Sequence, residues 1–70
     1  MRNRLVRWQN TANALGDTAI GLRLELHHLA ANPTPHRLAR AISAAFHLAE
    51  RHGTREVTDM IAEMQDAFAS

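Results

Sequence analysis

The stretch LVRWQNTANALGDTAIGLRLELHHL, residues 5–29, decides the fold, because apolar residues recur along it at spacings of three and four. This is the a/d repeat of a helix that packs along one seam against another helix. The repeat predicts one long first helix over about residues 3–31, whose register passes through Gly16 and Gly21 undisturbed. The seam comprises Leu5, Trp8, Ala12, Leu15, Ala19, Leu22, Leu26 and Leu29.

A break near Gly16 is the alternative to a continuous helix. An interior glycine costs a helix about 1 kcal/mol relative to alanine, and Asp17 or Thr18 would cap a new helix after the break. We favour continuity, because Gly16 lies with Ala12 and Ala19 in a patch of small residues that lets a crossing helix approach closely.

A second apolar strip lies on another side of the C-terminal half of this helix, where Ile20 and Leu24 align with His27 or His28. A helix with two apolar faces needs a neighbour on each of them. We therefore expect the C-terminal half of the helix to be covered on two sides and the N-terminal half on one side.

The segment NPTP ends the first helix, because Pro33 and Pro35 disfavour helical backbone in the residue before each of them. Thr34 followed by Pro35 is an N-cap and first-turn pair, which predicts a second helix over about residues 35–52, with Gly53 after its end. The wide apolar face of this helix comprises Leu38, Ala41, Ala45 and Leu48 beside Ala39, Ile42, Phe46 and Ala49.

Thr54 caps a third predicted helix, over about residues 54–68. We expect Phe68 in this helix and Phe46 in the second one to be buried. The apolar face of the third helix comprises Val57, Met60, Ile61, Met64 and Phe68, and its outer face carries Glu56, Asp59, Glu63 and Asp66.

The expected fold is a single all-α domain, residues 1–70, in which one long helix and two shorter helices form a helical hairpin or bundle. The hydrophobic core of so short a chain provides only marginal stability. Because the chain has no cysteine, disulfides and thiolate zinc sites cannot add to this stability. We therefore predict a homodimer in which two long helices pack antiparallel, giving a bundle of four to six helices. The predicted dimer interface is Leu5, Trp8, Ala12, Leu15, Ala19 and Leu22.

Charge is distributed unevenly along the chain. All eight basic residues are arginine and lie at or before Arg55, whereas four carboxylates crowd the last fifteen residues. The two ends are expected to attract each other, within one chain or between chains. Arg2, Arg4 and Arg7 lie at the positive end of a helix dipole, which disfavours cations and indicates an acidic partner or the acidic third helix of a sister subunit.

The second helix carries a basic line opposite its apolar face, and this line is the predicted partner-binding surface. The basic line comprises Arg37, Arg40, His47 and Arg51.

The sequence has no motif typical of an enzyme. No nucleophile elbow, phosphate-binding glycine loop or paired-carboxylate pocket is present, so we expect no catalytic residue and no cofactor. The five histidines lack the spacing of a metal site, so we expect no metal either.

No apolar run approaches the roughly 18 residues that cross a bilayer, and the first residues lack the apolar core of a signal peptide. We therefore expect a cytoplasmic protein that does not bind membranes.

The segment LAERHGTR, residues 48–55, resembles the first helix and turn of a helix-turn-helix. It departs from that pattern because polar Thr54 follows the turn Gly53, and the would-be recognition helix is acidic, so only Arg55 suits a contact with DNA. The chain also resembles, in form, the small plasmid-type helical-hairpin dimers that bind RNA. A small helical nucleic-acid-binding regulator is therefore the alternative function.

In length, composition and helical layout, the chain resembles the small all-helical proteins that phages and mobile elements encode to inhibit host regulators, among them anti-activators of quorum-sensing transcription factors. The use of arginine without lysine, with many alanines, is typical of GC-rich bacterial or phage genomes. The resemblance implies a protein that binds a host regulatory protein stoichiometrically and blocks its DNA binding or assembly. We therefore predict a non-enzymatic homodimeric interaction module that acts as an inhibitor.

Overall fold

The structure is a computed structural model that describes residues 2–70, and these residues form an all-α bundle, as predicted. Consecutive helices run antiparallel, because the start of each helix lies beside the end of the next. The first helix also packs on the last. The four helices are α1 (Arg2–Ala14), α2 (Ile20–Ala31), α3 (Pro35–Arg51) and α4 (Arg55–Ala69), and a short 3-10 helix spans Gly16–Ala19.

The prediction of one continuous first helix is wrong, since the chain reverses direction at residues 15–19. Gly16 has a backbone φ of 62°, in the left-handed region that other residues enter only at a cost. The Leu15 amide donates to the Ala12 carbonyl at 3.1 Å, which closes the end of α1. Residues 15–19, called the α1–α2 turn below, fold α1 back along α2.

The seam is buried inside a single chain. Because α1 folds back, its apolar stripe packs on α2 and α4, and the stripe of α2 packs on α3. A second copy is therefore not needed to cover the six residues predicted as a dimer interface. Five of these residues are buried in the core and Leu15, in the turn, is partly buried: Leu5, Trp8, Ala12, Ala19 and Leu22 are the buried ones.

Both predicted threonine caps are present. The Thr34 hydroxyl accepts a hydrogen bond from the Arg37 amide at 3.1 Å, and the Thr54 hydroxyl accepts one from the Val57 amide at 3.4 Å. Gly53 follows α3 as expected, but its φ is not positive. A β-carbon at Gly53 would lie 2.9 Å from the Ala49 carbonyl oxygen, so close approach explains this glycine.

Among the residues that the structure describes, the core includes four buried alanines and no buried phenylalanine. Within residues 2–70, no polar or charged side chain is buried. The predicted burial of Phe46 and Phe68 is wrong, because both are about half exposed. Phe46 follows the buried Ala45 and so lies at the edge of the buried face of α3, and Phe68 lies in the last turn of α4. The buried alanines are Ala12, Ala19, Ala41 and Ala45.

Charged side chains join α1 to α4 at the edge of the core, which supports attraction of the two ends within one chain. The Arg7 guanidinium lies 3.1 Å from a Glu63 carboxylate oxygen, and the Trp8 indole N–H donates to the same carboxylate at 3.0 Å. Arg4 pairs with Asp66 at 3.2 Å. We call these five side chains the Glu63 cluster. Its hydrogen bonds from Arg7 and Trp8 hold the pKa of Glu63 below its ordinary value of 4.5.

The lowered pKa predicts acid sensitivity that depends on Glu63. A carboxylate whose pKa is lower in the folded state stabilises the fold above its ordinary pKa of about 4.5, and this stabilisation is lost as pH falls through the lower folded value. Thermal unfolding midpoints measured from pH 7 down to about pH 2 should fall below about pH 4.5, and should fall less in Glu63→Gln. Glu56→Gln, on the same helix and without an ion pair among the described residues, should retain the wild-type dependence.

Candidate interaction surface

The structure uses two members of the basic line for internal contacts. Arg40 makes a two-pronged contact with Glu25 on α2, with nitrogen–oxygen distances of 3.4 and 3.2 Å. Arg51 donates to the carbonyl of His47 at 3.1 Å and to the carbonyl of Thr18 in the α1–α2 turn at 3.3 Å. Arg40 therefore connects α3 to α2, and Arg51 connects α3 to the α1–α2 turn.

The other two members, Arg37 and His47, lie far apart on α3. His47 is well exposed and pairs with Glu50, one turn further on, at 3.5 Å. Arg37 lies at the start of α3, where an open cleft of about 410 Å³ is also lined by His28, His36 and Arg40. The four predicted residues do not form one uniform basic surface, and the basic character concentrates around Arg37.

The helix-turn-helix resemblance does not extend to a basic recognition helix. The apolar residues Val57, Met60 and Met64 of α4 are in the core. Arg55 lies 3.8 Å from the Asp59 carboxylate, one turn along the same helix. The surface of α4 is therefore acidic, and DNA phosphates would be repelled there.

The second apolar strip of the first segment is exposed, contrary to the expectation that a neighbouring helix covers it. Ile20 is 60 % exposed and Leu24 is 54 % exposed. Val6, on the neighbouring face of α1, is 48 % exposed. The main helical neighbours of α2 are α1 and α3, and its second strip faces outward along the junction with α1.

These exposed residues line an apolar groove made of three adjoining open depressions, with volumes of about 510, 530 and 370 Å³. Gln9 lines both the first and the second depression, and Pro33 lines both the second and the third. The groove therefore runs from the start of α2, along the α1–α2 junction, to the end of α4. Its exposed apolar lining comprises Val6, Ile20, Leu24, Pro33 and Phe68.

The charged side chains of the groove are cationic. Arg2 and Arg23 line it, and no Asp or Glu is among its lining residues. The Arg23 guanidinium donates to the Asn13 side-chain oxygen at 3.1 Å, which bridges α2 and α1 across the first depression. An apolar surface with a cationic rim suits an apolar ligand that carries negative charge.

Sequence reasoning identified part of this groove and interpreted it differently. The spacing of Ile20 and Leu24 marked a second apolar strip, but the strip was assigned to the interior. Val6 was overlooked, although an apolar residue that lies off the seam and next to an arginine is a signal of exposure. Phe68 continued the apolar pattern of α4, yet it lies in the last turn of that helix, beside the start of α3, and is about half exposed.

Among residues 2–70, no group of three or more His, Asp or Glu side chains lies close enough together to hold a metal ion. No described helix is both long enough and apolar enough to span a membrane. No protein-family model, curated protein or solved structure matches the chain. The surface itself is therefore the basis for proposing a function.

The contrast between the exposed strip and the core predicts different costs for one substitution at two nearby positions. Leu24→Ala should lower the free energy of unfolding by less than about 1 kcal/mol, because Leu24 already faces water. Leu26→Ala should lower it by about 2–5 kcal/mol, because Leu26 is fully buried. Urea unfolding followed by circular dichroism measures both values. Equal losses would show that the strip is packed against a neighbour.

Proposed function

We propose that the protein is a non-enzymatic interaction module whose apolar groove binds one acidic amphipathic helix of another protein. The observation that carries this proposal is an exposed apolar groove of adjoining depressions whose charged side chains are arginines. An exposed apolar patch with a polar rim commonly marks a site of interaction with a partner.

A helix is the occupant that suits the groove best. The groove follows the junction of two helices, and amphipathic helices commonly bind such grooves through apolar residues at i, i+3, i+4 and i+7. The bundle is 27 Å long, a length that a helix of about 18 residues spans at 1.5 Å per residue. The bound helix would place its apolar face over Val6, Ile20 and Leu24.

Acidic residues on the flanks of that helix would meet Arg2 and Arg23 at the groove rim. Rim charges affect the rate of association and the choice of partner more than the final affinity. Because Arg23 is already held by Asn13, its guanidinium is partly ordered before binding and loses less side-chain entropy on binding. A lining that has arginines and no Asp or Glu side chain also disfavours basic helices.

We propose further that the bound helix belongs to a regulatory protein, such as a transcription factor of the host, and that binding inhibits it. Covering an amphipathic helix removes it from the contacts through which a regulator dimerises or folds. One groove per chain makes the inhibition stoichiometric. The class-level resemblance to phage-encoded inhibitors, including anti-activators, supports this part of the proposal.

A nucleic-acid-binding regulator is the second candidate function, and the cleft around Arg37 is the observation that favours it. Arg37 and Arg40 lie there with His28 and His36, which suits a phosphate group. Glu25 neutralises Arg40 beside this cleft, and no Phe, Tyr or Trp side chain for stacking on bases is among its lining residues. We therefore place this candidate below the helix-binding function.

A labelled model peptide tests the proposed function. The probe is an 18-residue helix with leucine at i, i+3, i+4 and i+7 and glutamate on both flanks, about the length of the groove. Fluorescence anisotropy should detect binding, and Leu24→Glu should weaken it by at least about 10-fold, because a charge would enter the apolar contact. A matched peptide with lysine in place of glutamate should also bind at least about 10-fold more weakly.

Phe46→Glu is the matched control, because Phe46 is similarly exposed but lies outside the groove. It should leave the affinity for the acidic peptide unchanged. Equal weakening by Phe46→Glu and Leu24→Glu would contradict the groove as the binding surface. Tight binding of a single-stranded RNA 20-mer, lost in Arg37→Gln and in high salt, would instead favour the second candidate.

A further inference from the structure

The a/d register of the seam continues across the α1–α2 turn, although two separate helices do not require this. Ala12 and Leu15 precede Gly16, Ala19 and Leu22 follow it, and the spacings remain three and four throughout. A turn that reverses the chain removes any need for the stripe of α1 to be in phase with that of α2. The closed bundle therefore leaves this continuity unexplained.

A straight helix explains it. If residues 15–19 were helical, every seam residue would lie on one face of a single helix over residues 2–31. The seam residues on both sides of the turn are buried in the core. Trp8 and Ala12 precede the turn, and Leu22 follows it. A straight helix keeps both stripes on the same face, so each half can still pack into a core.

We infer that the chain has a second, dimeric form in which the α1–α2 turn straightens and two copies exchange α1. In this form the two long helices lie antiparallel and cross at the turn. The α1 of each copy occupies the place beside α2 and α4 of its partner that its own α1 occupies in the closed form. The partner is a second copy of this chain.

Charge complementarity identifies the second copy as the occupant. Moving α1 away leaves the carboxylates of Glu63 and Asp66 without Arg7 and Arg4, and leaves the apolar face of α4 uncovered. The α1 of another copy restores the entire Glu63 cluster, including the hydrogen bond from Trp8. Every contact between helices in the closed form is thus available in the exchanged form, and only the turn differs.

The turn therefore sets the balance between the two forms. In the closed form it is held by the left-handed Gly16 and by the hydrogen bond from Arg51 to the Thr18 carbonyl. Glycine tolerates the left-handed conformation and disfavours a helix, so it favours the closed form on both counts. The apolar groove is assembled from α1 and α2 in either form, so this inference does not rest on the proposed function.

Gly16→Ala should convert the protein to the dimer. A β-carbon at Gly16 would meet nothing within 4 Å, so the substitution adds backbone strain to the closed form without a steric clash. The substitution also favours the straight helix, because alanine has a higher helix propensity than glycine. Since each dimer contains two straightened turns, both effects count twice. The dissociation constant should fall by at least about 100-fold, as measured by light scattering over a range of concentrations.

Gly21→Ala is the matched control. Gly21 is helical in α2, and a β-carbon there would also meet nothing within 4 Å. Since residue 21 is helical in both forms, this substitution should raise stability and leave the dissociation constant unchanged. A Gly16→Ala protein that keeps a mass of 7.8 kDa at millimolar concentration, or that unfolds, would overturn the inference.

Mixing two charge-reversed proteins tests exchange in a second way. One protein carries Arg4→Glu and Arg7→Glu, and the other carries Glu63→Arg and Asp66→Arg, so α1 and α4 repel each other within each chain. Exchange of α1 between the two restores opposite charges at both contacts between α1 and α4. Native mass spectrometry should show a heterodimer in the mixture at concentrations at which each protein alone is monomeric. Two unmixed monomers would overturn the inference.

Discussion

Gly16 reverses the chain with a backbone φ of 62°, and the positions of the helices depend on this reversal. Because α1 folds back along α2, the stripe containing Trp8 meets the core of its own chain. The same reversal brings the arginines of α1 against the carboxylates of α4, so the basic start and the acidic end of the chain neutralise each other. A 70-residue chain thereby closes a ring of four helices without disulfides.

The sequence predicted the all-α class, both threonine caps and most of the buried residues, because these follow from local spacing and hydrogen bonding. It did not predict the break at Gly16. A glycine inside a helix lowers the stability of that helix by only about 1 kcal/mol, which by itself does not decide between a continuous helix and a broken one. The packing of α1 on α4, which favours the break, involves residues far apart in the sequence. The spacing of Ile20 and Leu24 was also clear, but periodicity shows that residues share a face and does not show what covers it.

The charged residues serve the fold more than the sequence suggests. Arg40 and Arg51 were assigned to a partner, yet they bind Glu25 and the Thr18 carbonyl within the chain. Spacing along one helix cannot reveal such pairs, because the carboxylate or carbonyl comes from another helix. These internal contacts use two of the four residues of the basic line. The most apolar part of the exposed surface is the groove with Arg2 and Arg23 at its rim.

The buried alanines restrict how this protein can change over evolutionary time. Ala12, Ala41 and Ala45 are fully buried, so a larger side chain at any of them forces neighbouring helices apart. Accepting one larger residue requires a second residue opposite it to shrink in compensation. Substitutions in the interior are therefore coupled in pairs, whereas the exposed groove can vary one residue at a time. The proposed binding surface can diverge rapidly on a scaffold that itself changes slowly.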